Sequence, residues 1–167
     1  MYDELTEVDI RKMQEEIDHR VRVLRPQLIE EVQITRGFGD LSENFEYKCA
    51  KQAKNRNESR IRYLERMIRT AKVIEVKAEA GTVGLFDKVT IYNEMMKNEM
   101  VIQIVTTLRQ DALKGLVSKE SPVGQALMGH QVGDRVQVTV SPELKYFVEI
   151  RAIEKGEDDG SAPLLEY

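Results

Sequence analysis

From Ile10 onward, apolar residues recur at steps of three and four: Ile10, Met13, Ile17, Val21, Leu24, Leu28 and Val32. The pattern breaks at Gly37 and Gly39, then returns through Tyr47, Ala50, Lys54, Asn57, Ile61, Leu64, Ile68 and Ala71. Two stripes of helical period around a short glycine break dictate two long amphipathic helices joined by a tight connection. The prediction is an antiparallel helical hairpin, a coiled-coil finger over residues 1–77. Arms of roughly 30 residues rise about 45 Å at ~1.5 Å per residue. Pro26 interrupts the first stripe, so a bend or loosened turn is expected there, because proline lacks the donor and crowds the preceding turn. The polar middle of the second stripe loosens the seam towards the tip and leaves firm packing at the base.

The period changes after Ala78-Glu79-Ala80-Gly81. Lys88–Tyr92, Met100–Val105, Gly115–Ser118, Arg135–Val140 and Tyr146–Ile150 are short, β-branched and alternating, which predicts strands. Between them, Ser121 is placed as the N-cap of a short helix, with Pro122 at its first position and Gly129 at its end. The fold class is therefore α+β: the hairpin, then a small twisted antiparallel sheet domain with one short helix over residues 81–155. The acidic tail 156–167 is expected to be disordered.

Composition excludes several classes. No apolar run approaches a membrane span. The acidic start, Met1-Tyr2-Asp3-Glu4, lacks the basic and apolar regions of a signal peptide, so the expected compartment is cytoplasmic. A single cysteine, Cys49, rules out an internal disulfide, and its place in the helical pattern suggests packing. The net charge of −4 argues against a generally basic nucleic-acid binder. Its distribution is uneven: residues 1–46 carry −6, residues 47–77 carry +7 and residues 78–167 carry −5. An acidic arm facing a basic arm suits a self-complementary hairpin, but the second arm holds more positive charge than pairing needs.

At the break lies Gly39-Asp40-Leu41-Ser42-Glu43-Asn44. Asp40 and Glu43 put two carboxylates three residues apart at the bend. One reading is structural: Asp40 with Glu43 resembles a capping box, Ser42 is an equally good N-cap, and acids suit a first helical turn. The other reading is chemical. A solvent-exposed tip cannot catalyse alone, but it can carry two hard oxygen ligands for Mg²⁺ into another protein's active site. Both readings stay open on spacing alone.

Autonomous catalysis has little to draw on. His19 and His130 lie on different halves without Cys or Glu partners at ligand spacing. Gly-rich phosphate loops and GxSxG elbows are absent. A coiled-coil spacer or dimerisation rod fits the two stripes, yet a rod has no need of an ordered acidic tip.

The run Gly39-Asp40-Leu41-Ser42-Glu43-Asn44-Phe45-Glu46-Tyr47 resembles the tip of the bacterial Gre transcript cleavage factors, with Leu41 leaning towards the GreA branch. The likeness continues through Arg60-Ile61-Arg62-Tyr63-Leu64-Glu65 and Ala71-Lys72-Val73-Ile74-Glu75. It returns at Gly115-Leu116-Val117-Ser118, at Ser121-Pro122-Val123-Gly124-Gln125-Ala126-Leu127-Met128-Gly129 and at Val132-Gly133-Asp134. The resemblance implies a coiled-coil finger and an FKBP-like domain that docks on RNA polymerase while the finger enters the secondary channel. It implies a monomeric elongation factor acting on transcribing complexes and not an enzyme alone: the polymerase cleaves the displaced RNA 3′ end of a backtracked complex. By the same resemblance Asp40 and Glu43 hold the second Mg²⁺ and its water. Arg36 and Lys51 match basic positions facing RNA or the channel wall, and Ser121 and Pro122 belong to the docking domain.

Two places depart from the family pattern. Phe86 stands where a glycine is usual, and Thr106-Thr107-Leu108-Arg109 replaces a glycine- and acid-containing turn. The intact tip argues against anti-cleavage paralogues. Other functions to separate are an FKBP-like prolyl isomerase or chaperone with a helical arm, and a channel-binding regulator that docks without cleaving.

Overall fold

The computed structural model describes residues 3–40, 43–76 and 79–166. The elements run β1 (Glu4–Leu5), α1 (Glu7–His19), a π-helical turn (Arg20–Leu24), α2 (Arg25–Arg36), α3 (Phe45–Thr70), β2 (Lys72–Val73), β3 (Lys88–Asn93), β4 (Asn98–Val105), β5 (Leu116–Ser118), α4 (Pro122–Leu127), β6 (Arg135–Thr139) and β7 (Lys145–Glu154). The fold is mixed α+β. The chain forms two compact units, the first of residues 1–3 and 10–72, the second of residues 4–9 and 73–167. The sheet unit is thus not contiguous in sequence. It includes the six residues from Glu4 to Asp9, which the sequence reading placed with the finger.

In the helical unit, the loosened turn expected near Pro26 is the π-helical turn just before it. Proline has no N–H to donate to the carbonyl four residues back, so the ladder must reset at this point. The Arg25 N–H instead reaches back five residues to the Arg20 carbonyl. That same carbonyl accepts Asn57 Nδ2 at 3.3 Å, while the Arg20 guanidinium donates to Asn57 Oδ1 at 3.0 Å. Asn57 is only 3% exposed. The polar middle of the second stripe is therefore a plug that satisfies the widened turn, not merely weak packing.

Below the plug, Glu16 accepts Arg20 Nε at 2.8 Å and Arg60 Nε at 2.9 Å. Arg25 grips Glu58 through two bonds of 2.7 and 2.9 Å. Apolar burial on α3 concentrates further on, at Ile61, Leu64 and Met67. Met67 rather than Ile68 turns inward, since a straight helix drifts off a strict three-four alternation. Cys49, expected to pack, is exposed, and its neighbour Ala50 occupies the seam instead.

In the second unit, five strands take the order β5-β4-β3-β7-β6. β3–β4, β3–β7 and β6–β7 are antiparallel, with a register shift between Thr90 and Ile91. β5 corrects the expectation of an all-antiparallel sheet, because it lies parallel to β4. The chain reaches it through two short 3₁₀ turns at Thr107–Arg109 and Ala112–Lys114, and not through a hairpin. Alternate strand residues, among them Val89, Ile91, Ile102, Ile104, Val136, Val138, Val148 and Ile150, form the core with Leu127 of α4. Gly124 allows that contact: a Cβ there would lie 2.2 Å from the Ser118 carbonyl oxygen.

Residues 156–166, expected to be disordered, carry no helix or strand. Asp158 is nevertheless pinned within the unit. Arg109, 1% exposed, donates to Asp9 Oδ1 at 2.6 Å and to Asp158 Oδ1 at 2.5 Å. Thr106 Oγ1 adds a bond to Asp9 at 3.1 Å. Thr6 and Asp9 cap α1 reciprocally: the Asp9 N–H reaches Thr6 Oγ1 at 3.3 Å and the Thr6 N–H reaches Asp9 Oδ2 at 3.0 Å.

Candidate functional site at the acidic turn

α2 ends at Arg36, and the Gly37 and Phe38 N–H groups close back onto the Ile34 and Thr35 carbonyls at 3.1 and 3.0 Å. Gly39 follows at φ +136°, a conformation that residues with a Cβ rarely adopt. It redirects the chain at Asp40. The Glu43 N–H then reaches the Asp40 carbonyl at 3.2 Å, which closes the turn and brings the two acidic residues together. Both residues are exposed. Leu41 and Ser42 lie outside the described residues.

The cap of α3 is Asn44, whereas the structural reading of the turn offers Asp40 or Ser42. Asn44 Oδ1 accepts the Tyr47 N–H at 3.0 Å, and its Nδ2 donates to the Thr35 carbonyl at 2.6 Å. One buried amide thus ends one helix and starts the other. Thr35 is tied in turn to the Glu31 carbonyl at 2.8 Å. The helix start is thus satisfied by Asn44.

Arg36 and Lys51 meet at one group. The Arg36 guanidinium lies 5.8 Å from the centre of the Tyr47 ring. Its hydrogen bond holds the Tyr47 phenol below the ordinary tyrosine range. Burial opposes the shift, and the positive charges of Lys51, Arg36 and Lys54 reinforce it. A basic and aromatic cluster therefore sits next to the acidic turn. The sequence places Tyr47 in the seam and at the end of the tip run, with no role of its own. Its spacing of four from Lys51 is the signal that was available.

Ser121 and Pro122 lie in the sheet unit. Ser121 Oγ accepts the Gly124 N–H at 3.0 Å and donates to the Ser118 carbonyl at 2.7 Å, confirming the cap, while Pro122 is exposed at the first position of α4. His130 lies in the following turn, 3.3 Å from Asp134. The sheet unit holds a cavity of about 270 Å³ lined by residues including Ile74, Leu85, Lys119 and Met128. Another, of about 620 Å³, lies between the 3₁₀ segment and residues 163–166. Neither is lined by an aromatic residue.

Among the described residues, no group of three or more His, Cys, Asp or Glu side chains is arranged to hold a metal ion. No helix among them is long and apolar enough to cross a membrane.

Comparison with known proteins bears on both units. The family model for the transcription elongation factor N-terminal domain matches residues 4–73. The model for the C-terminal domain of transcription elongation factors GreA/GreB matches residues 77–155. Transcription elongation factor GreA of Mesoplasma florum is 37% identical over 89% of this chain and 96% of that protein. GreA of a Methylobacterium species is 42% identical over 76% and 81%. GreA of Streptococcus thermophilus is 35% identical over 90% and 94%. Among solved structures, GreA factor homolog 1 of Thermus thermophilus aligns over 93% of this chain and 100% of that one, with 25% identity and a TM-score of 0.42.

Proposed function

The chain belongs to the GreA/GreB family of transcription elongation factors, and we propose that it acts by lending the carboxylates of Asp40 and Glu43 to the active site of RNA polymerase. It stimulates the polymerase's own cleavage of backtracked RNA 3′ ends and is not an enzyme by itself. The single observation that carries this reading is the turn itself: two exposed acids at a bend whose helix-capping duty is met by Asn44.

The helical unit acts as an antiparallel finger. Support comes from the pairs that run from Glu16–Arg60 at one end to Thr35–Asn44 at the other. The sheet unit acts as the FKBP-like docking domain, with the capped Ser121–Pro122 corner in its polymerase-facing part. Delivery on a finger makes cleavage conditional on docking, since the acids reach the reacting phosphate only when the anchor is in place.

The residues present fit a shared Mg²⁺. This ion takes one or two protein carboxylates and completes its shell with water and phosphate oxygens. Two acids in one exposed turn are too few to hold it alone and sufficient to complete a site that another protein begins. When bound, Mg²⁺ supplies an activated water and stabilises charge at the cleaved phosphate. Asp40 and Glu43 hold and orient. Arg36, Lys51 and Lys54 draw the RNA backbone towards the turn by charge. The factor works as a monomer, and nascent RNA inside the elongation complex is its nucleic-acid contact.

A prolyl isomerase reading is not favoured. Such a site needs an open aromatic pocket, whereas Phe86, Tyr92 and Phe147 each lie against an arginine, at 4.9, 4.3 and 3.7 Å from guanidinium carbon to ring centre. The test is a stalled, backtracked elongation complex incubated with this protein and Mg²⁺. Short 3′ RNA fragments should be released faster than by polymerase alone. Binding without added release would leave only a channel-binding regulator.

A further inference from the structure

Phe38 and Phe45 bracket the acidic turn, 63% and 72% exposed. A single exposed apolar residue is ordinary. Two phenylalanines seven residues apart, one on each side of the acids, each forgo about 2–3 kcal/mol of possible burial. Neither ring serves the helix ends. A hydrophobic staple would pair the residue before the Asn44 cap with the fourth helical residue, but these are Glu43 and Lys48. Gly37 ends α2 with φ −76°, so it does not form the left-handed cap whose following residue packs back on the helix. Phenylalanine is also a poor choice on propensity at the first position of α3.

We infer that Phe38 and Phe45 form an aromatic bracket that stacks on an unpaired RNA base at the displaced 3′ end, and so positions the adjoining phosphate before Asp40 and Glu43. This inference rests on the cleavage reading above. Single-stranded RNA is gripped by aromatic faces together with basic residues that follow the backbone. Both kinds of group are present around this turn, as Phe38, Phe45 and the Arg36–Tyr47–Lys51 cluster. An apolar protein wall is the poorer occupant, because it would desolvate the two carboxylates without compensating them. A nucleotide brings a π face to the rings, and its metal-bound phosphate balances the acids. The two phenylalanines are positioning residues, with no part in the bond-breaking step.

The experiment uses full-length protein on backtracked complexes whose 3′-terminal nucleotide is normal, abasic or 2-aminopurine. With the normal base, Phe38→Leu and Phe45→Leu should each raise the concentration for half-maximal cleavage about tenfold, within the range for one lost base stack. With the abasic nucleotide, wild type and both variants should fall to one common level, because no base remains for either ring. Wild type should quench 2-aminopurine fluorescence on binding, and each leucine variant should quench less. Leucine keeps apolar bulk, so activity near wild type in both variants would overturn the inference. Equal losses on normal and abasic ends would also overturn it and assign the rings to a protein wall. Absence of quenching would overturn it whatever the cleavage rate. Quenching without any RNA release would uphold the stacking and fail the cleavage reading.

Discussion

The Phe86 ring lies 4.9 Å from the guanidinium carbon of Arg109. These residues belong to the two places where the chain departs from the family pattern, so the departures form one structural feature. Phe86 adopts φ +67°, the left-handed conformation that a glycine takes without strain. Its buried ring forms a floor for Arg109, whose charge is met by Asp9 and Asp158. The strain of about 1–2 kcal/mol for a left-handed residue with a side chain is smaller than the roughly 3–5 kcal/mol lost on emptying a buried aromatic site. Phe86→Gly should therefore destabilise the protein by about 2 kcal/mol, despite matching the family residue. Urea unfolding of the full chain checks this, and a gain in stability would mean that the ring contributes little.

Arg109→Met should destabilise by about 3–5 kcal/mol, because it leaves Asp9 and Asp158 buried together without a cation. Calorimetric melting measures it. A variant with Asp9→Asn and Asp158→Asn added to Arg109→Met should recover much of the loss. No recovery would place the effect in packing rather than in charge.

The sheet unit draws on both chain ends, which alters what its isolated fragment should do. Residues 81–155 alone leave Arg109 without Asp9 or Asp158, whereas residues 73–166 restore Asp158. The longer fragment should melt at a higher temperature than the shorter one, and Arg109→Met should remove the difference.

Acid should loosen the helical unit at Glu16. Burial pushes its carboxyl up, but the bonds from Arg60 and Arg20 outweigh burial and hold it below its ordinary value of 4.5. A carboxylate depressed in the folded state stabilises fully above its unfolded pKa, and the stabilisation is lost as pH falls through the lower folded value. Helical signal should therefore weaken with pH below about 4.5, and Glu16→Gln should flatten that dependence while lowering stability at neutral pH. An unchanged acid limb in the variant would assign the loss to other carboxylates.

Arg36 and Lys51 should contribute to RNA engagement through charge. Neutralising both should weaken binding to backtracked complexes, and most strongly at low salt, where screening is least. A changed melting temperature with RNA engagement unaltered at every salt concentration would leave them as surface partners of Tyr47.

Much of this was legible in the sequence. The three-four stripes located the helices, Pro26 located the altered turn, and Ser121-Pro122 marked α4, because each signal is local and its physics acts within a turn or two. The acidic turn was also legible, though its cap was not: Asn, Asp and Ser cap equally well, and it is the Tyr47 N–H donating to Asn44 Oδ1 that makes Asn44 the cap. Arg109 was invisible as a core residue, since its partners lie 100 residues before it and 49 after it and leave no periodic trace. The parallel pairing of β5 was hidden for a similar reason, as a three-residue strand carries no information on direction.

The central claim is that the turn carboxylates act in the polymerase active site. The most direct measurement is the cleavage rate of a backtracked complex with Asp40→Asn or Glu43→Gln, beside competition binding against wild type. The account predicts a loss of about 10²–10³-fold in rate for each, from about 3–4 kcal/mol of lost transition-state contact, with binding nearly unchanged. Cleavage by either variant at close to the wild-type rate would contradict it.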